Sequence, residues 1–148
     1  MYDERLTAPR SWWLLPVALG LTLALILLRV GGVAALIGLV IGVAAGAAAV
    51  NSYGSARIRV VQGSLVAGQA RIPVEALGEA HPLTPVEAVA WRGVKADPRA
   101  FMLLRSYVPT ALRVEVTDPA DPTPYLYLST RSPERLAAAL AEARRRTA

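Results

Sequence analysis

Apolar residues run almost without interruption from Trp12 to Val50, and Arg29 is the only charge among them. A continuous helix of roughly 40 residues would measure about 60 Å, twice the ~30 Å hydrocarbon core of a bilayer. The stretch therefore predicts two helices. Arg29-Val30-Gly31-Gly32 puts a charge and two helix-weakening glycines where a bend is needed. The expected spans are residues 12–28 and 33–50, with the bend at 29–32. Trp12 and Trp13 fall where the first span would enter the bilayer, the depth indole rings prefer, and read as interfacial anchors. In the second span Gly38, Gly42 and Gly46 recur every fourth residue and share one helical face. Such a face lets another backbone approach closely. Two partners suit it: the leucine-rich first span, or the same face of a second copy in a homo-oligomer.

Beyond Val50 the pattern changes to short alternating runs. Residues 51–55 read as a linker, and 56–148 as one α+β domain. Arg57-Ile58-Arg59-Val60-Val61 alternates at the period of a half-buried strand. Gln62-Gly63 is a two-residue turn, and pairing across it sets Val60 opposite Leu65 and Ile58 opposite Ala67. Ala70–Val74 and a short segment before Thr84 supply further strands. Thr84 followed by Pro85 predicts the capped start of a short helix. Phe101–Val108, Leu112–Val116 and Tyr125–Ser129 read as strands, separated by a proline-rich turn over Asp118–Pro124. Ser132-Pro133-Glu134 opens a terminal helix in which Leu136 and Leu140 lie one turn apart on the core face. Residues 1–11 read as a leader too short and polar to fold alone.

The net charge is +5, and Lys95 is the only lysine. Arg5 and Arg10 precede the first span and Arg57 and Arg59 follow the second, against Arg29 at the bend. That asymmetry predicts a multi-pass membrane protein with both termini on the cytoplasmic side. The rival is a cleavable signal peptide, but its apolar core would be long and a second apolar segment follows directly. With no cysteine, disulfides and thiolate chemistry are excluded.

No catalytic constellation emerges. His81 is the single histidine and no second ligand cluster accompanies it, so neither a metal nor a cofactor is expected. Phosphate-cradling glycine motifs are absent from the sequence. Nucleic-acid binding is not expected, because no aromatics interleave the arginines. Two surfaces are candidates for contact with a headgroup or protein partner. Arg57, Arg59 and Arg71 lie on neighbouring strands; Trp91, Arg92, Lys95, Arg105 and Tyr107 form a cation–aromatic set.

The order of short strands closed by a C-terminal helix resembles bacterial pleckstrin-homology-like domains, in which a bent sheet or partly open barrel is capped by that helix. More closely, the chain resembles a family of small actinobacterial membrane proteins of unknown function. The resemblance rests on Tyr2-Asp3-Glu4-Arg5-Leu6 with the following tryptophans, the hairpin, and Asp97-Pro98-Arg99-Ala100. It also rests on Asp118-Pro119-Ala120-Asp121-Pro122-Thr123-Pro124-Tyr125 and Ser129-Thr130-Arg131-Ser132-Pro133. It implies architecture and location, with no catalytic residues to carry over. The resulting expectation is a non-enzymatic interaction or assembly module tethered to the cytoplasmic face, with an unknown protein partner. An anionic-headgroup sensor is the alternative, and a membrane enzyme a remote one.

Overall fold

The computed structural model describes residues 2–147 and divides into two compact units, Thr7–Ala56 and a second that joins the first six residues to everything from Arg57 onward.

The smaller unit is a helical hairpin. A 3₁₀ turn over Arg10–Trp13 leads into helix α1, Leu14–Leu27, and helix α2 spans Gly32–Tyr53. The bend falls at the expected place: Gly31 has φ of +151°, and its N–H and that of Val30 both donate to the Leu27 carbonyl. The second helix overruns its expected end, taking in Asn51–Tyr53 and leaving Gly54–Ala56 as the connection. Both helical stretches, Arg10–Leu27 and Gly32–Tyr53, are long and apolar enough to cross a membrane. Large side chains such as Leu14, Leu25 and Val33 are 70%, 69% and 77% exposed, the reverse of a soluble core helix.

The two helices touch through glycine. A Cβ on Gly42 would stand 2.6 Å from the Gly20 Cα, and one on Gly46 2.6 Å from the Pro16 Cα. A Cβ on Gly38 would meet the Leu27 side chain at 2.7 Å and the Leu23 carbonyl oxygen at 3.1 Å. The glycine face is thus covered by the first helix of the same chain. At the open end Trp12 stacks on Tyr53, with centroids 5.5 Å apart, while Trp13 stays half-exposed.

The larger unit has an α+β architecture built on two sheets. In the first, strands β1 (Tyr2–Arg5), β2 (Arg57–Val61), β3 (Ser64–Ala67) and β4 (Ala70–Pro73) follow one another antiparallel. The β2–β3 register matches expectation, with Val60 facing Leu65 and Ile58 facing Ala67. Gln62 at φ 49° and Gly63 at φ 69° form the tight turn that suits the strand twist. Strand β1 corrects the leader reading. Polar residues suffice there because the backbone pairs with β2 along its whole length, and Leu6 beyond it is fully buried.

The second sheet has the order β5-β7-β8-β6, from β5 (Leu77–Leu83), β6 (Phe101–Leu103), β7 (Ala111–Val116) and β8 (Tyr125–Ser129). Strand β6 runs parallel to β8 and stops at Leu103, short of the expected Val108. The Arg105 N–H donates to the side-chain hydroxyl of Ser129 on β8 instead of a backbone carbonyl, and the Val108 N–H closes a turn on the Arg105 carbonyl. Helix α3, Pro85–Arg92, begins as predicted. Glu87 N–H donates to the Thr84 hydroxyl, and Thr84 N–H and hydroxyl both donate to the Glu87 carboxylate. Those bonds, the backbone one foremost, hold the Glu87 carboxyl below its usual range.

Helix α4, Pro133–Thr147, lays Leu136 and Leu140 into the core. Strand β8 is buried along its entire length because it is central in its sheet and covered on both faces. One face meets α4. On the other, Tyr125 and Tyr127 pack with Leu83, Ala88 and Ala111, edged by Trp91.

Candidate functional site

The pleat of the first sheet sorts its residues onto two faces. Ile58, Val60, Leu65 and Ala67 point inward and are buried. The outward face is set by the register: Arg5 lies opposite Arg57, Asp3 opposite Arg59, and Arg71 opposite Val66, itself opposite Arg59. Four arginines from three strands therefore share one surface. Arg5, Arg57 and Arg71 are exposed and Arg59 is half-buried, its Nε buried without a hydrogen-bond partner. Among the described residues none of the four makes an ion pair with a carboxylate. Arg5 and Arg57 are like charges directly opposite across strands and repel, while Asp3 faces Arg59, so the face carries an excess of positive charge that suits an anion.

Arg57, Arg59 and Arg71 were foreseeable as neighbours from the alternation in β2 and the return through β3. Arg5 was not. Its period-2 signal is only four residues long, and about 50 residues of helix separate it from β2 in sequence.

The second candidate set is divided. Lys95 Nζ lies 5.6 Å from the Trp91 ring centroid, and Trp91 meets Tyr125 edge-on at 5.3 Å. The Arg113 guanidinium, which sequence reasoning passed over, sits 4.5 Å from the Trp91 ring and 3.1 Å from Glu115. The alternation of β7 marks Arg113 as a residue facing away from Leu112 and Val114, but not the indole above it. Arg92 ends α3 nearby and lends its charge to the surroundings of Tyr127, whose hydroxyl burial pushes up in pKa. Arg105 and Tyr107 have other partners. The Tyr107 hydroxyl donates to the Leu6 carbonyl at 2.9 Å, and Arg105 Nη1 donates to the Leu104 carbonyl at 2.9 Å.

His81 lies opposite Arg113, its Nε2 3.6 Å from Glu115 and 3.8 Å from Glu79. Both distances exceed the hydrogen bond that orients a general base. No group of three or more acidic, histidine or cysteine side chains placed to hold a metal ion occurs among the described residues.

The remaining polar clusters do structural work. Glu4 accepts hydrogen bonds from the Tyr2 hydroxyl at 2.7 Å, the Arg131 N–H at 2.9 Å and the Thr130 hydroxyl. These tie β1 to the start of α4. Burial foremost, with the neighbouring Glu4 carboxylate, pushes the Tyr2 hydroxyl up to about 12 against the opposing bond to Thr130. Asp97 accepts two bonds from the Arg99 side chain, which hold its carboxyl low, and its N–H donates to the Tyr125 hydroxyl at 2.9 Å. The runs that carry the family resemblance thus meet in pairs, Tyr2–Leu6 with Ser129–Pro133, and Asp97–Ala100 with Tyr125.

The described residues thus form two apolar helices and an α+β unit with a basic sheet face. A family model, described as a protein of unknown function (DUF3093), matches residues 1–140, and the chain belongs to that family. No curated protein and no solved structure matches.

Proposed function

We propose that this chain is a non-enzymatic recognition module tethered to the cytoplasmic face of a bacterial, actinobacterial, cell membrane by a hairpin that crosses the bilayer twice. One observation carries the reading. Strand β1 precedes the two apolar helices, β2 follows them, and the two pair from Tyr2–Val60 to Arg5–Arg57. An open sheet edge is not tolerated in hydrocarbon. Both ends of the hairpin must then emerge on the same side, and the arginines that flank it favour the cytoplasm.

The two sheets with their C-terminal helix support the pleckstrin-homology-like reading, with the parallel β6–β8 pair as this chain's departure from an antiparallel meander. Recognition rather than catalysis is supported by the acids: Glu4, Glu87 and Asp97 are committed to holding strands, a helix start and a loop. The module would act by docking a protein partner or stabilising an assembly. With the glycine face already covered, a homo-oligomer through it would have to displace α1.

Reporters fused before Met1 and after Ala148 test the topology. Cytoplasmic activity is expected at both ends, together with resistance of the chain to alkaline carbonate extraction. An external reporter at either end, or full extraction, overturns the proposal.

A further inference from the structure

We infer that the outer face of the first sheet is a binding surface for the phosphate groups of anionic lipids, with Arg5, Arg57, Arg59 and Arg71 as its contacts. The inference rests on the tethered reading above and specifies the ligand of that face.

Three observations converge. First, the face carries four arginines and Asp3 alone among acids, with no ion pair satisfying any of the four among the described residues. Secondly, the Arg59 Nε–H is buried without a hydrogen-bond partner, and a desolvated guanidinium donor is costly unless an acceptor completes it. Phosphate oxygens are the acceptors that match a guanidinium fork. Thirdly, chain connectivity restricts where the face can go. Helix α2 ends at Tyr53 and β2 starts at Arg57, a link that spans at most about 14 Å when fully extended. Arg57 is thereby confined to the neighbourhood of the headgroup layer. Arg5, paired with Arg57, is confined with it. A soluble anion would gain nothing from this tether, whereas a lipid phosphate is delivered by it.

The arginines also belong together only when β1 is in place. A fragment beginning after the hairpin would lack Arg5 and a strand of the sheet, so the full chain is the object to test. Purified in dodecyl maltoside, it is titrated with phosphatidylglycerol or phosphatidylcholine, and bound lipid is counted by native mass spectrometry. Phosphatidylglycerol should bind in clear preference. In the triple variant Arg57→Ala/Arg59→Ala/Arg71→Ala that preference should fall roughly 100-fold, at about fivefold per arginine near an anionic surface. The corresponding triple lysine variant keeps the charges without the guanidinium fork and should retain an intermediate preference, and it guards against loss of folding as the cause. Glycerol phosphate at the same concentration should not displace the lipid.

Equal binding of the two lipids, an unchanged preference in a folded alanine variant, or displacement by glycerol phosphate each overturns the inference. Carbonate extraction of the same variants is read separately. A chain that leaves the membrane refutes the tether, whereas one that stays but shows no lipid preference refutes only the ligand.

Discussion

Folding changes the chemistry of Tyr2. Its hydroxyl is removed from water beside Glu4 and Thr130, and its pKa stands at about 12 against an ordinary 10. A group raised on folding stabilises the native state fully below its unfolded pKa and ceases to do so as pH climbs through the folded one. The melting temperature of the full chain in detergent should therefore fall between pH 10 and pH 12. A Tyr2→Phe variant should fall less steeply over that window, the remaining slope coming in part from Tyr127, whose hydroxyl is pushed up by burial too. Parallel slopes would mean Tyr2 is not buried as described. At this scale, local chemistry was legible and distant chemistry was not. Thr84 and Pro85 announce the cap, and Glu87 completes it in the structure, because all its bonds close within three residues. Glu4 and Thr130 are 126 residues apart, and nothing in either neighbourhood names the other.

Among the elements, the hairpin offers a sharp contrast between two glycines that are each followed by Val-Ala-Ala. Gly42 lies against the α1 backbone at Gly20, whereas a Cβ on Gly32 would meet nothing within 4 Å. Gly42→Ala should lower the hairpin's stability by about 1–3 kcal/mol, the usual cost of forcing a side chain into a closed contact. Gly32→Ala should be neutral or slightly stabilising, since alanine is the better helix former. Unfolding of both variants in mixed micelles compares them directly, and equal stabilities would refute the close helix approach. The four-residue spacing made the glycine face visible beforehand. Which surface covers it was decided by the bend at Gly31, which brings α1 alongside within the chain. The same scale explains the truncated β6: Phe101–Val108 has strand composition, but Ser129 captures the backbone donor that would have continued the ladder.

For the whole molecule, the decisive link is the strand formed by the first residues. Tyr2–Arg5 closes the edge of β2, Leu6 fills a fully buried position, and Glu4 reaches the start of α4. Loss of a buried leucine alone costs about 2–5 kcal/mol. Deleting residues 2–6 should therefore leave the α+β module far more open to limited proteolysis than in the intact chain, while the hairpin still partitions into detergent. An equally resistant module would show β1 to be dispensable and would remove the same-side constraint on the termini. A Glu4→Gln variant, which keeps two acceptor lone pairs on its amide oxygen, should be intermediate in protease resistance.

What the sequence determined lies at short range. The two apolar spans and their bend, the β2–β3 register, the α3 cap and the buried stripe of α4 all follow from residues within a few positions of one another. Tertiary structure alone decided the rest: that the opening residues return to pair with β2, that Arg5 joins Arg57, Arg59 and Arg71, and that Arg113 rather than Arg105 or Tyr107 accompanies Trp91. The physical reason is that a strand edge or a guanidinium carries no sequence mark of its partner. Its choice is settled by which backbones the whole fold brings within hydrogen-bonding reach.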